Sequence, residues 1–464
     1  MINRQPIVVV LGHVDHGKTT LLDALRKTTV ADREAGGITQ AIGASVVVTP
    51  SGKPITFIDT PGHAAFTKMR GRGAKVADIA ILVVAQDDGV KPQTKEALQI
   101  IKDTKIPFIV AGTKADVNGV TPEVVLGQLE KEEVFFEGRG GQVPFISVSA
   151  KNNIGLTELL ETLILMSEVA GLNGDEKADL EAVVIESGQD KMGKMATVVV
   201  RNGSIKVGQT IYTEEVECKV RALIDDKGKP TKLIKPGEPA RVFGFNEVPP
   251  VGAFVTNSAE KAAAVLVKQK GVFDLRRLAD DEIPIVLKAD NAGALEAIIA
   301  ALPPKIIAIS TGVGDVNGSD ILAASSSKAY VFVFESKIPN DIAKLAEAEK
   351  VKVARFTIIY ELLQNLDEIL KKGLVDIKGH AQILASFPFN NKKVAGSKVI
   401  DGKLTKGDSL LLMRGEKEVG KSRISSIKKQ KQEVGVVGQG EECGIILEPQ
   451  LDFEIGDVLV SVSK

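Results

Sequence analysis

The residues most able to do chemistry lie near the start of the chain. Gly12-His13-Val14-Asp15-His16-Gly17-Lys18-Thr19 fits the pattern GxxxxGK[ST]. It follows the apolar run Ile7–Leu11 and opens a helical pattern over Thr19–Lys27, the context in which this pattern forms a phosphate-binding loop. Its glycines let the backbone wrap closely, so that successive N–H groups face phosphate oxygens. The N-terminus of the following helix adds partial positive charge. Lys18 brings a point charge to the β- and γ-phosphates, and the Thr19 hydroxyl can ligate Mg2+. The nucleotide contacts expected here are Asp15, His16, Gly17, Lys18, Thr19 and Thr20. The side chains of His13 and His16 read as loop packing, because backbone groups do the cradling.

A phosphate loop alone does not select the base. Thr113-Lys114-Ala115-Asp116, after the apolar run Pro107–Gly112, resembles the guanine-reading motif Asn-Lys-x-Asp of GTPases. A carboxylate at Asp116 can accept from guanine N1–H and the N2 amine. Adenine would leave it buried and unpaired. Alone, Asp116 would read as a helix cap; in order with the other motifs it reads as the base selector. The Lys114 stem would cover the base, and Ser149-Ala150-Lys151 resembles the loop that reaches guanine through its backbone. Thr113 replaces the usual Asn, and its shorter side chain is expected to tether the phosphate loop less well. For the γ-phosphate the candidates are Gly62, through its N–H, and Asp59, through a Mg2+-bound water, both in Asp59-Thr60-Pro61-Gly62. The Thr39 hydroxyl would complete the Mg2+ shell only while that phosphate is present, which is how such a switch signals. His63 stands where a side chain can orient the attacking water. No arginine finger is apparent in cis, so hydrolysis should be slow without an activating partner.

The elements around these residues fall into four segments. Up to about residue 172, strand candidates Ile7–Leu11, Ser45–Thr49, Ile55–Asp59, Ile79–Ala85, Pro107–Gly112 and Pro144–Ser149 alternate with helical patterns. Short Val- and Ile-rich runs of this kind suit a mostly parallel sheet covered on both faces. Over 180–260, runs such as Ala182–Glu186 and Ala196–Arg201 are separated by glycine turns, which predicts an antiparallel barrel. Over 280–357 the alternation returns, as a small α/β sandwich, followed by a linker helix over 358–375. From 376 to 464 the barrel grammar repeats. Asn202-Gly203-Ser204-Ile205-Lys206-Val207-Gly208-Gln209-Thr210 aligns with Asp401-Gly402-Lys403-Leu404-Thr405-Lys406-Gly407-Asp408-Ser409. The expected fold is an α/β multidomain protein: P-loop domain, β-barrel, small α/β domain, second β-barrel.

Bulk properties exclude several classes. A net charge of −1 gives no global field for nucleic acid, so any RNA contact needs a local patch. Two distant cysteines, Cys218 and Cys443, make neither a disulfide framework nor a metal spacing. No stretch reaches the ~18 apolar residues of a membrane span. A cytoplasmic protein without membrane attachment is expected, and His380 has no evident partner.

The phosphate loop together with Asp59-Thr60-Pro61-Gly62-His63 resembles the translational GTPases. The runs Glu34–Gln40 and Phe66–Ala74 narrow the resemblance to the bacterial translation initiation factor 2 family, whose four-segment order it matches over essentially the whole chain. Many members carry a long N-terminal extension; with its first strand candidate almost at residue 1, this chain is expected to be without one. The resemblance implies GTP and GDP as ligands, Mg2+ as cofactor, and a ribosome that positions His63 for hydrolysis. It implies a monomer that promotes binding of formylmethionyl initiator tRNA to the small ribosomal subunit and then subunit joining, with the large subunit as GTPase activator, alongside other initiation factors. It carries the initiator contact onto Glu442-Cys443-Gly444 and the basic run Lys428, Lys429 and Lys431. Gln430 stands where the family commonly has an aromatic residue and Ser397 where it has a cysteine. Between Lys392 and Lys431 lie twelve basic and four acidic residues, and Gln432–Ser463 holds acidic residues only. That pattern fits either a tRNA-facing patch or a solvated lysine-rich face. Delivery of another aminoacyl-tRNA and a non-hydrolysing ribosomal scaffold remain alternatives. Glu442-Cys443-Gly444 speaks against the first and His63 against the second.

Overall fold

The computed structural model describes residues 2–28, 38–214, 216–260, 262, 282–372, 377–389, 392–415, 417–430 and 432–462. Glu34–Gly37, the tail of the expected linker helix at 373–375, and Lys431 lie outside them. The chain divides into two compact units, Met1–Asp367 and Glu368–Lys464.

The first unit opens with β1 (Ile7–Gly12), α1 (Lys18–Arg26), β2 (Gly43–Val48), β3 (Pro54–Asp59), α2 (Thr67–Val76), β4 (Ile79–Ala85), α3 (Pro92–Thr104), β5 (Phe108–Thr113), α4 (Pro122–Glu130), β6 (Phe145–Ser147) and α5 (Leu156–Val169). The sheet order is β2-β3-β1-β4-β5-β6, parallel except for the β2–β3 pair. Every residue of β1 and β4 is buried, as strands covered on both faces require. The order reverses at β1, so the phosphate loop after β1 lies at a crevice beside the carboxyl ends of the strands. The interior of α2 holds Gly71 and Gly73, each worth about 1 kcal/mol against helix relative to Ala. Packing explains Gly73: a Cβ there would come within 3.1 Å of Thr60 Cγ2 and Val9 Cγ2, so the glycine lets α2 lie close on the sheet.

A barrel follows, with β7 (Glu181–Asp190), β8 (Gly193–Asn202), β9 (Thr210–Tyr212), β10 (Glu217–Ile224), β11 (Pro239–Phe245) and β12 (Phe254–Val255) in the order β9-β10-β11-β8-β7-β12. Reciprocal backbone hydrogen bonds between Tyr212 and Thr256, at 2.8 and 2.9 Å, close the ring. The third part is a four-stranded parallel sheet: β13 (Ile283–Ala289), α6 (Ala292–Ala301), β14 (Ile306–Val313), α7 (Gly318–Ser327), β15 (Tyr330–Phe334), α8 (Asn340–Ala348) and β16 (Val353–Phe356), ordered β14-β13-β15-β16. It leads into α9 (Ile359–Lys372).

The second unit is a closed antiparallel barrel of β17 (Ile377–Phe389), β18 (Lys392–Thr405), β19 (Ser409–Arg414), β20 (Lys417–Lys429), β21 (Glu442–Glu448) and β22 (Val458–Val462), in the order β17-β22-β19-β20-β21-β18 and back to β17. The repeated glycines do the same work in each barrel. Gly203 and Gly402 have φ of 71° and 64°. A Cβ on either would strike backbone near the start of its own barrel, at Leu180 Cα (2.7 Å) and Lys378 O (2.2 Å). Among the described residues no helix is long and apolar enough to cross a membrane.

Candidate functional site

The phosphate loop depends on backbone that only certain residues adopt. Gly12 (φ 151°), Asp15 (φ 61°) and Gly17 (φ 81°) curl it, and a Cβ on Gly12 would lie 2.4 Å from Val83 O. Lys18 is 6% exposed and donates to His13 O at 2.5 Å. Burial pushes its ammonium down to about 8. His16 is buried with Nε2 3.4 Å from Asp88 Oδ2, a packing role for its ring. The Thr113 hydroxyl donates to His16 O at 2.7 Å. Thr113 thus ties its own loop to the phosphate loop.

Thr19, Thr39, Gly62 and His63 line one cavity of about 250 Å³ with Val14, Asp15, Gly17, Lys18, Thr20 and Ile38. The Thr19 and Thr39 hydroxyls are 2.6 Å apart. Asp59 is buried nearby in the same motif as Gly62, and its Oδ1 has no hydrogen-bond partner. Burial raises its carboxyl to about 6, against the pull of Arg26 and Lys18. Two hydroxyls in contact and an orphaned carboxylate oxygen are an oxygen donor set of the kind a hard divalent cation takes, so these residues fit Mg2+. Gly62 sits tightly: a Cβ would meet Lys18 Nζ at 2.5 Å and Val14 N at 3.0 Å.

His63 is half-buried, and its Nδ1 accepts from the Ala65 N–H at 3.1 Å. Burial and the Arg70 guanidinium lower its pKa, favouring the neutral ring. Against that ring stands Tyr360 of α9, with centroids 4.3 Å apart and planes at 80°. Tyr360 lines the cavity too. Nothing in the spacing could have identified it, nearly three hundred residues from His63 in sequence.

At the base end, Ser149 Oγ donates to Asp116 Oδ1 at 2.6 Å, which holds that carboxyl below its ordinary range. Lys114 (φ 59°) reaches Asp87 at 3.0 Å. Ala115 N–H donates to Val148 O at 3.2 Å, which joins this loop to the Ser149-Ala150-Lys151 segment.

Three family models match successive parts of the chain: the elongation factor Tu GTP binding domain over 3–168, elongation factor G domain 2 over 179–258, and translation-initiation factor 2 over 259–367. The translation initiation factor IF-2 of Halalkalibacterium halodurans is 39% identical over 98% of this chain and 67% of its own length. The chain belongs to the translation initiation factor IF-2 family. IF-2 of Desulforamulus reducens is 39% identical over 99% of this chain but 50% of its own length. The chain thus spans about half the length of several IF-2 relatives it matches. A solved structure, GDP-bound aIF5B from Aeropyrum pernix, is 28% identical, covering 99% of this chain and 92% of that one, with a TM-score of 0.48.

This IF-2 chain has a second cavity, of about 450 Å³, in the C-terminal barrel. It gathers Glu442, Cys443, Gly444, Lys428, Lys429, Gln430 and Ser397. Strand register explains the grouping: Cys443 pairs with Ser397, and Gly444 with both Gly396 and Lys428. Cys443 is buried, and burial pushes its thiol up to about 11. Phe387 and Leu384 of β17 also line the cavity and are exposed. A Cβ on Gly396 would lie 2.7 Å from Phe387 Cε2, so this ring lies over the glycine. Phe387 supplies an aromatic surface in the cavity that Gln430 lacks. The lysine-rich stretch from 392 to 431 is partly neutralised: Lys393, Lys406, Arg414 and Lys429 pair with Asp452, Glu433, Asp457 and Glu441. His380, without an evident partner in the sequence, bonds Asp401 at 2.7 Å through Nδ1.

Proposed function

We propose that this chain is a GTPase of translation initiation. It would bring formylmethionyl initiator tRNA to the small ribosomal subunit, promote subunit joining and hydrolyse GTP on the assembled ribosome. The observation that carries the reading is the meeting of Thr19, Thr39, Gly62 and His63 on one cavity beside Lys18. The working segments are 1–172 for nucleotide, 180–260 and 280–357 as barrel and α/β modules, 358–375 as linker, and 376–464 for tRNA. The protein acts as a monomer in company with other initiation factors.

The nucleotide lies with its phosphates in the loop from Asp15 to Thr20 and its base between Thr113, Lys114 and Asp116 on one side and Ser149, Ala150 and Lys151 on the other. Thr19, Thr39 and, through a water, Asp59 would hold Mg2+, which supplies charge neutralisation at the β- and γ-phosphates. Lys18 adds a cation at the same phosphates. Water attacks the γ-phosphorus, the bond to the β–γ bridging oxygen breaks, and its electrons leave with GDP. The water's proton ends on the released phosphate. Because Nδ1 of neutral His63 accepts from Ala65, its proton sits on Nε2. In this arrangement the ring orients the water by donating, and it takes up no proton. Ribosomal contact is expected to draw the ring from Tyr360 and complete the geometry. In the C-terminal barrel, Glu442, Cys443, Gly444, Lys428 and Lys429 receive the formylmethionyl end, with Phe387 as its apolar wall.

The test compares binding of initiator tRNA charged with formylmethionine and with unformylated methionine. Tighter binding of the formylated form, weakened when Phe387 is replaced by Ala, supports the initiator reading. Equal binding of both, with GTP still bound, leaves a carrier of a different aminoacyl-tRNA.

A further inference from the structure

Arg70 of α2 is a large, fully buried side chain, yet nothing in the nucleotide reading uses it. Its Nη1 donates to Pro61 O at 2.9 Å and to His63 O at 2.6 Å. Its Nη2 donates to Thr67 Oγ1 at 3.1 Å and to Glu96 Oε1 of α3 at 2.6 Å. The two carbonyls bracket Gly62.

The peptide plane gives this grip its consequence. Pro61 C=O and Gly62 N–H belong to one trans peptide unit and point in opposite directions. A guanidinium that fixes the carbonyl on the protein side therefore aims the N–H away from itself. Gly62 lines the nucleotide cavity, and its Cα region is packed against Lys18 Nζ and Val14 N. The His63 carbonyl, held by the same nitrogen, fixes the next but one peptide plane. From the other side Thr60 Oγ1 donates to Val10 O at 2.7 Å and anchors the turn to β1. The α- and β-phosphates are held by a different element, the loop from Asp15 to Thr20.

We propose that Arg70 is a positioning residue that sets the preference for guanosine triphosphate over diphosphate, acting through the Gly62 N–H. The inference rests on the nucleotide reading above and adds a determinant to it. Glu96 is its anchor: the carboxylate holds one end of the planar fork so that the other spans both carbonyls. Lysine keeps the charge but cannot reach two carbonyls, a hydroxyl and a carboxylate from one plane, so charge alone does not substitute.

Equilibrium binding of GDP and of the β,γ-imido analogue of GTP, both with Mg2+, tests this on the full chain. In Arg70→Lys, affinity for the analogue is expected to fall about tenfold, the equivalent of one well-made hydrogen bond, with GDP affinity within about twofold of wild type. Glu96→Gln, which leaves Arg70 in place and loosens its anchor, is expected to lose about threefold on the analogue alone. Equal losses for both nucleotides in both variants would make Arg70 merely structural and overturn the proposal, as would an unchanged ratio. If wild type binds neither nucleotide, the underlying nucleotide reading falls and the inference falls with it. If wild type binds both and only the variants behave otherwise than expected, the inference alone fails.

Discussion

At the scale of single residues, the nucleotide cavity is built from groups whose ordinary preferences are overruled by burial. Lys18 and Asp59 are both taken out of water, and their charges shift in opposite senses, toward about 8 and about 6. Both stay mostly charged at neutral pH, and a bound polyphosphate and a divalent cation would pull each back toward its ordinary range. His63 is held by an N–H donor on one edge and by Tyr360 on one face. Replacement of His63 by Ala is expected to lower ribosome-stimulated phosphate release by about a hundredfold or more, the usual scale for a positioned group of this kind. GTP and GDP affinities should be unchanged, since the loop and the base motif hold the nucleotide. Undiminished release would remove His63 from the reaction. The motifs around positions 12–19, 59–63 and 113–116 were legible in the sequence because each is a local run whose spacing is its geometry. Tyr360, Arg70 and Phe387 were not, because each acts on residues that only packing brings near.

At the scale of elements, α2 follows the Asp59–His63 turn and also joins the third part of the unit. Arg72 and Lys68 reach Glu296 of α6 at 2.5 and 3.3 Å. Beneath that pair, Glu186 of β7 is 5% exposed and accepts from the N–H groups of Ser187 and Gly293. Its Oε2 has no hydrogen-bond partner. Burial raises this carboxyl from 4.5 to about 7, against the pull of the two N–H groups and Arg72. The sign follows from proton binding. Between pH 4.5 and 7 the unfolded chain has lost the proton that the folded chain keeps, so stability falls as pH rises through that window. The size is on the order of 3 kcal/mol for a group this buried. Glu186→Gln should therefore match wild type near pH 4, gain on it as pH rises, and hold a constant advantage above about pH 7. Urea unfolding across that range measures the gap, and a gap independent of pH would show that folding leaves the pKa of this carboxyl unshifted. A second link runs from the segment before β2 to α9: the Gln40 side chain donates to Thr357 O at 2.8 Å and accepts from Ile359 N–H at 3.0 Å. Thr39 is thus one residue from a cap of the linker helix, which places that helix start within reach of the nucleotide's state.

At the scale of the whole molecule, charge is balanced overall and arranged locally. The segregation of bases before residue 431 and acids after it suggests a strong basic face. Folding weakens that face, because the antiparallel barrel lays the acidic strands beside the basic ones and four of the bases find carboxylates. At the second cavity Lys428 stands beside Lys429, whose charge Glu441 offsets. Binding of initiator tRNA should fall with salt, and Lys428→Ala should reduce the slope of log affinity against log salt by about 0.7 to 1, the share of one phosphate contact. An unaltered slope would mean that Lys428 meets no phosphate.

By itself the sequence determined the order of the four segments, the phosphate loop, the guanine motif and the repeated barrel turns. Each is encoded in short-range spacing, and local backbone geometry converts spacing directly into structure. In α2, close packing on β1 and the Thr60 turn makes Gly73 necessary, a contact that local spacing does not record. Tertiary structure alone decided that Thr19 and Thr39 touch, that a tyrosine from the linker helix covers His63, and that one buried arginine grips both sides of Gly62. It also decided that Phe387 supplies the aromatic wall missing at Gln430. Such contacts join residues far apart along the chain, where composition carries no record of distance and only the burial of a shared core brings the partners together.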